Sequence, residues 1–244
     1  MRISDDLFMG SAYGPNPPDA NPAPMEAGVG PMGRIYVYDI VPLTLQAAGL
    51  ASSQNPGSGG SFTLTAGTGV TATVDAFGTT RYVLDVPRCV TITATGANTA
   101  QYRVTGYDAY GQLMTQDLAA PSTSTVATTK AFKSIISVTN RNATAGTNGL
   151  TVGFNDKLGL PVKVTDAGYI VKVAWNGALA QDAGTFVAAD TTDPATGSTT
   201  DVRGCYTPSS AANGTKRLVI AIALPGAAVG PQSTRAGAFG VTQA

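Results

Sequence analysis

Histidine is absent from this chain of 244 residues, which also contains only two cysteines. Without an imidazole, the sequence excludes a Ser-His-Asp or Cys-His catalytic site, a histidine-ligated metal and a histidine pH switch. The two thiols, Cys89 and Cys205, each lie beside apolar residues in a strand-like stretch. This setting favours buried free thiols, which behave as small hydrophobic side chains, over a disulfide.

Charged side chains are scarce as well. They make up 12% of the residues, and 15 basic and 15 acidic side chains give a formal net charge of zero. A neutral chain without basic runs lacks the electrostatic footprint of a protein that binds nucleic acid or an anionic membrane. It also lacks the mutual repulsion that keeps protein molecules apart. The composition therefore favours a protein that packs against other protein.

Long hydrophobic runs are missing too. The longest, Leu218–Leu224, is far shorter than the ~20 residues needed to span a bilayer. The N-terminus carries Asp5 and Asp6, where a secretory leader has basic residues followed by an apolar run. We therefore expect a protein that is made in the cytoplasm and has no membrane partner.

Proline is concentrated near the N-terminus, with six prolines between residues 10 and 33. No helix or central strand tolerates that density. Residues 1–33 are therefore predicted to form an extended arm, which can bind a groove at low entropic cost because proline has already restricted φ. The alternative is a solvated tail, but the apolar cluster near the start of the segment favours docking. The predicted anchors are Leu7, Phe8, Met9, Tyr13 and Met25.

Short runs of β-branched and aromatic residues follow from residue 34 onward, separated by turn residues at intervals near those of a sandwich or barrel. They predict ten or eleven strands and an all-β fold: a jelly roll or related antiparallel β-sandwich with an extended Pro-rich N-terminal arm. Residues 34–165 form the predicted main β-sandwich. Residues 166–244 supply either further strands of that sandwich or a small second β-domain, and end in an extended C-terminal tail.

Three local patterns carry specific predictions. The alternation at Ser61–Ala66 predicts a strand, whereas Gln46–Leu50 has the composition of one helical turn. The run Arg217–Leu224 is almost continuously apolar, as is typical of a strand that is buried on both faces.

No sequence pattern indicates a catalytic or cofactor site. The sequence has no phosphate-binding loop, no nucleophile elbow, no Cys-x-x-Cys pair and no EF-hand loop. Asp190, Asp193 and Asp201 share one polar loop and are candidate calcium ligands, but a solvated loop explains three loose acids better. We expect no enzymatic activity, no cofactor and no metal.

Two tyrosines and the single tryptophan raise another hypothesis. Tyr36 and Tyr38 fall on the same face of one predicted strand. Together with Trp175 they are candidates for a carbohydrate-binding platform. Ordinary core and interface packing is the simpler explanation, because tyrosine is a general interface residue.

Part of the chain resembles a segment that recurs in virion proteins of tailed bacteriophages. The likeness lies in a strand ending V-T-G-Y-D-A-Y-G (104–111), a strand K-A-F-K-S-I-I-S-V-T (130–139), and a glycine-containing strand L-T-V-G-F (150–154) followed by G-L-P (159–161). Residues 28–34 also resemble sequences of phage proteins. The resemblance covers about a quarter of the chain and contains no catalytic residues.

The resemblance implies a capsid decoration, or cement, protein. Such a protein is a β-sandwich or jelly roll that binds the outer face of the capsid shell, commonly as a trimer. The expected partners are the major capsid protein and other copies of the chain, and the expected location is the outer capsid surface of the virion, after synthesis in the host cytoplasm. Deleting residues 1–32 is then expected to leave the β domain folded but to weaken attachment to the shell. The alternatives are another virion component (tail tube, head–tail connector or fibre subunit) or a glycan-binding adhesion module.

Overall fold

The computed structural model describes residues 34–190 and 200–224, with side chains from 35 to 223 in those ranges. It contains twelve strands in this part of the chain, and its only helical element there is the 3₁₀ helix Ala167–Tyr169. The strands are β1 (Arg34–Ile40), β2 (Gln46–Gln54), β3 (Val70–Val74), β4 (Thr80–Thr93), β5 (Tyr102–Tyr107), β6 (Leu113–Leu118), β7 (Thr125–Asn140), β8 (Leu150–Gly159), β9 (Ile170–Trp175), β10 (Thr185–Val187), β11 (Cys205–Thr207) and β12 (Leu218–Leu224).

All of these strands pair antiparallel, in two sheets. The large sheet has the order β10-β11-β8-β4-β7-β5-β6, with β2 beside β8 and β3 beside β4. The small sheet has the order β1-β12-β9. The all-β, jelly-roll-like fold predicted from the sequence is thereby confirmed.

The large sheet curls because its longest strands change partners along their length. The first part of β4 pairs with β3, whereas its second part pairs with β8 on the same edge. The register of β4 shifts against both β7 and β8. Such irregularities bend a strand and increase its twist. The sheet therefore wraps around its own apolar side chains instead of lying flat.

Two large hydrophobic cores result, beside a small cluster of Cys89, Ala131 and Cys205. The first lies inside the curled large sheet, and its largest fully buried apolar side chains include Tyr102, Phe132 and Phe154. The second lies between the small sheet and the end of β8, with residues 160–164 and Tyr206. The sequence predicts burial of Phe132, Val138 and either Ile135 or Ile136, and in the structure Phe132, Ile135 and Val138 are completely buried.

The predicted boundary near residue 165 does not separate the two sheets. β1, from the N-terminal part, pairs with β12 in the small sheet. β11, from the C-terminal part, pairs with β8 in the large sheet. The chain therefore crosses between the sheets in both directions.

Two local predictions were wrong. Gln46–Leu50 is the beginning of β2 and not a helical turn, because this segment pairs with β8 and Gly49 lies close to the ring of Phe154. Residues 61–66 do not form a strand, although Phe62 and Leu64 are buried as the alternation predicted. The Phe62 amide donates to the carbonyl of Val138 and the Thr65 amide to that of Leu50, so this segment bonds to two different strands.

Candidate contact surfaces

The hairpin between β3 and β4 ends in a tightly bonded turn that carries an exposed phenylalanine. The Asp75 carboxylate accepts hydrogen bonds from the amides of Phe77 and Thr79 at 2.9 Å, and from the Arg81 guanidinium at 2.8 and 3.0 Å. The hydrogen bond from the Thr79 amide is the main reason why the pKa of Asp75 lies below its ordinary value. The guanidinium also stacks over the ring of Tyr107, 4.0 Å from its centroid.

This turn presents Phe77 to solvent with 92% of its surface exposed. Val74, on the adjoining strand, is also largely exposed. An aromatic side chain on a rigid turn loses little conformational freedom on binding, which is the arrangement found at the centres of protein interfaces. The hairpin tip is therefore a candidate contact point.

The small sheet has two apolar faces, and only one of them packs against the rest of the described chain. Leu218, Ile220 and Ile222 of β12 point inward and are completely buried in the second core. The outer face follows from the register: Ile35, Val37 and Asp39 of β1 lie opposite Ala223, Ala221 and Val219 of β12. In turn, Ala221 and Val219 lie opposite Lys172 and Ala174 of β9.

The outer face has an apolar centre and a polar margin. Ile35 and Val37 are 51% and 56% exposed, and Val171, next to a register shift, is similarly exposed. Asp39 and Arg217 form an ion pair at one end, and the Lys172 ammonium donates to the carbonyl of Leu179. An apolar centre with a polar rim is typical of a protein interface.

A buried arginine joins the two sheets. The Arg88 side chain on β4 is completely buried and donates to the carboxylates of Asp85 (2.7 and 2.9 Å) and Asp156 (2.9 Å). It also donates to the carbonyl of Leu43, in the segment between β1 and β2, at 2.6 Å. Asp156 accepts from the amide of Ala212, near the start of β12. This network therefore connects the core of the large sheet to the segments that lead into the small sheet.

Charged residues are buried elsewhere as well, so the prediction of a solvated loop at Asp190–Asp201 was wrong for its two ends. Asp190 and Asp201 are both buried. The Asp201 carboxylate accepts from the amides of Ala131 and Arg203 at 2.8 Å, while burial raises its pKa. Asp193 lies outside the described residues, within which no group of three His, Cys, Asp or Glu side chains is arranged to hold a metal ion.

Sequence reasoning missed these buried charges. Eight charged side chains are buried in the described ranges: Arg88, Asp108, Lys130, Asp156, Lys163, Asp190, Asp201 and Arg203. The available signal was a charge inside an apolar strand, as in V-P-R-C-V at 86–90. In a chain with so few charges, each charge in such a run is a candidate for a structural ion pair.

The two cysteines are buried free thiols, as expected. Both sulfurs lie near the carbonyl oxygen of Thr129, at 3.6 Å for Cys89 and 3.9 Å for Cys205. Contact with the Cys89 thiol and burial raise the pKa of Cys205, which keeps it protonated and unreactive.

The proposed carbohydrate platform is exposed at only one of its three residues. Tyr36, Tyr38 and Trp175 all belong to the inner face of the small sheet, where Tyr36 is 38% exposed, Tyr38 packs against the second core and Trp175 is only 5% exposed. The Trp175 indole N–H donates to the hydroxyl of Ser210 at 2.8 Å, and the Lys216 ammonium lies 5.8 Å from the ring centroid. These side chains do not present three ring faces to solvent.

A pocket of about 420 Å³ nevertheless lies beside Trp175. Its polar lining includes Asp182, Ser209, Ser210 and Lys216. Asp182 accepts from the hydroxyls of Tyr206 (2.7 Å) and Ser209, and these hydrogen bonds lower its pKa although burial opposes them.

The remaining predicted site residues, Leu7, Phe8, Met9, Tyr13 and Met25, lie outside the described residues. Between residues 34 and 190 and between 200 and 224, no helix has the length and hydropathy needed to cross a membrane. No family model matches the chain, and comparison with curated proteins and with solved structures found no significant match.

Proposed function

We propose that the protein is a structural component of a tailed-phage virion, and that it binds and stabilises the assembled capsid shell as a decoration protein. The observation that carries the proposal is the hairpin tip, where the Asp75 hydrogen bonds hold a turn that exposes Phe77. This is the geometry of a preorganised contact anchor. The resemblance of residues 102–161 to phage virion proteins supports the major capsid protein as the partner.

Such a protein needs no catalytic activity. It binds the assembled lattice more tightly than separated subunits, so its binding free energy adds to the stability of the shell. Copies joined into a homo-oligomer, with a trimer favoured, bind the shell at several points. Their overall affinity for the shell rises because binding of one copy increases the effective concentration of the others. The proposed location is the outer capsid surface.

Copy number per particle tests the proposal most directly. Quantitative mass spectrometry of purified virions is expected to find the protein at an abundance comparable to that of the major capsid protein. A small number set by tail symmetry would instead indicate a tail-tube, connector or fibre subunit. Absence from virions would overturn the proposal.

The Phe77 anchor makes a second test. Burying one large apolar side chain contributes about 1.5–3 kcal/mol. We therefore expect Phe77→Ser to weaken binding to shells that lack the protein by about tenfold or more. Co-sedimentation with such shells measures this. Because Phe77 is 92% exposed, the thermal unfolding midpoint is expected to stay unchanged.

Leu179→Ser is the matched control, because Leu179 is equally exposed but belongs to the loop after β9. Equal binding by the Phe77→Ser variant and the unaltered chain would show that the hairpin tip does not contact the shell. Equal losses in both variants would show that exposed apolar area in general, and not this anchor, drives binding.

A glycan-binding role is a second proposal, favoured by the pocket beside Trp175. That pocket combines a carboxylate, an ammonium group and two hydroxyls, which together suit a polyhydroxylated ligand. A glycan array probed with the full chain tests it, and the absence of any bound glycan would remove it.

A further inference from the structure

The outer face of the small sheet is apolar, and no described residue covers it. Its central strand, β12, is almost continuously apolar, as is typical of strands buried on both faces. Only the inner side chains of β12 are covered by the second core. On the outer side, Ile35 and Val37 are more than half exposed. The sequence of β12 therefore indicates a second layer that the described residues do not supply.

The size of this face argues against simple pairing with the same face of a second copy. Three strands about 4.8 Å apart and seven residues long present roughly 300 Å². A stable interface buries about 800 Å² on each partner. A face this small matches a short bound segment better than a whole protein surface.

A suitable segment leaves the fold at this sheet. Residues 1–33 join β1 at Arg34, which lies opposite Leu224 at the end of the small sheet. The segment contains the apolar cluster Leu7-Phe8-Met9, which is comparable in size to the exposed centre of the face. The six prolines between residues 10 and 33 favour an extended connection to that cluster.

The length of this connection allows the cluster to bind a second copy. An extended Pro-rich chain rises about 3.1 Å per residue, so residues 10–33 reach roughly 75 Å. A seven-residue strand is only about 23 Å long. A connection of this length is sufficient for Leu7-Phe8-Met9 to reach the small sheet of another copy.

Charge favours the same pairing. Asp5 and Asp6 immediately precede the apolar cluster. On the rim of the outer face, Lys172 bonds to a neutral carbonyl, and Arg217 is balanced by Asp39. The rim therefore carries a net positive charge that complements the two acids.

We infer that residues 7–9 of one copy bind the outer face of the small sheet of a second copy, so that exchanged arms join the chains into an oligomer. The inference rests on the proposed function, because it names the contact that links the copies on the shell. It also explains why loss of the arm is expected to weaken attachment: unlinked copies lose the gain in effective concentration.

Photo-crosslinking of the full chain in solution tests the inference. A variant with p-benzoylphenylalanine in place of Val37 is irradiated, separated on a denaturing gel and mapped by mass spectrometry. The expected products are dimers and larger species in which position 37 is joined to a peptide within residues 1–33. The same photoreactive residue in place of Phe77, on the large sheet, is expected to give no such link.

Substitution in the arm provides the second measurement. Phe8→Asp is expected to reduce the crosslinked dimer about tenfold, because it removes the largest apolar side chain of the cluster. Asn21→Asp adds the same charge elsewhere in the arm and is expected to leave the yield unchanged. Both variants are expected to leave the described β domain intact, because neither position belongs to it.

Three results would overturn the inference: a link to residues 1–33 within a single chain, a link between two small sheets, or no link to residues 1–33. The first would mean that the arm folds back on its own sheet, and the second that two faces pair directly. Failure of the proposed function has a different signature, because absence of the protein from virions leaves the crosslink between chains unaffected.

Discussion

Replacing Arg88 with methionine is expected to lower the free energy of unfolding by about 3–5 kcal/mol, because it leaves the partners of a buried charge network unpaired. Among the described residues, Arg88 is the only cation that the structure shows hydrogen-bonded to the carboxylates of Asp85 and Asp156. Methionine retains much of the side-chain volume, so the loss reports the missing charge and hydrogen bonds more than a cavity. Urea denaturation monitored by Trp175 fluorescence measures the change.

Arg103→Met is the matched control for this experiment. Arg103 pairs with Asp117 on the surface, where both side chains remain at least one-third exposed. Exposed pairs contribute about 1 kcal/mol or less. If the Arg88 and Arg103 variants lost equal stability, the buried network would not be the joint between the sheets. Adding Asp85→Asn and Asp156→Asn to Arg88→Met is expected to recover part of the loss, since no unpaired charge then remains buried.

Gly153→Ala is expected to destabilise the protein by about 3 kcal/mol, at the upper end of the usual cost of overpacking. A Cβ atom at this position would lie 1.9 Å from the carbonyl oxygen of Gln46 and 2.5 Å from the carbonyl carbon of Ala47. Both neighbours are backbone atoms of β2, so neither can rotate away. The expected response is separation of β2 from β8, which faster amide hydrogen exchange at Thr65 and Gly67 would detect, because these amides bond to β2 carbonyls.

Gly57→Ala separates this clash from the general effect of replacing glycine. A Cβ atom at Gly57 meets nothing within 4 Å, and its φ is not in the left-handed region. Removing a glycine at such a site is neutral or slightly stabilising, because the unfolded chain loses freedom. A Gly153→Ala variant as stable as the Gly57→Ala variant would contradict the close approach of β2 to β8.

Both predictions concern the β domain that carries the hairpin tip and the uncovered face of the small sheet. The Arg88 network connects the large sheet to the segments that flank the small sheet. The hairpin tip belongs to the large sheet and the uncovered apolar face to the small one. If the hairpin tip contacts the shell and the small sheet binds an arm of another copy, the Arg88 network fixes the position of one contact surface relative to the other. A joint that resists deformation is the property that a cement protein requires.

The sequence alone determined the fold class and several buried positions. Period-two alternation separated by turn residues was sufficient for an all-β fold, because that pattern suits a pleated sheet with one covered face and fits no helix. The sequence also placed Phe132, Val138 and one of Ile135 and Ile136 inside, and the apolar setting of the cysteines indicated free buried thiols. The apolar run of β12 predicted burial on both faces, whereas the described residues bury only its inner face, and the uncovered outer face motivates the arm exchange.

Tertiary structure decided what depends on partners distant in sequence. Gln46–Leu50 is a strand because it pairs with β8. Trp175 is a core residue because it lies opposite Leu218 of β12, on the inner face of the small sheet. The pairing of Arg88 with Asp156 joins residues far apart along the chain, which no local pattern encodes. The exposure of Phe77 follows from the way Asp75 closes its turn. Local sequence sets which residues prefer burial and extension, whereas the side chains that meet, and those left in solvent, are set by long-range strand pairing.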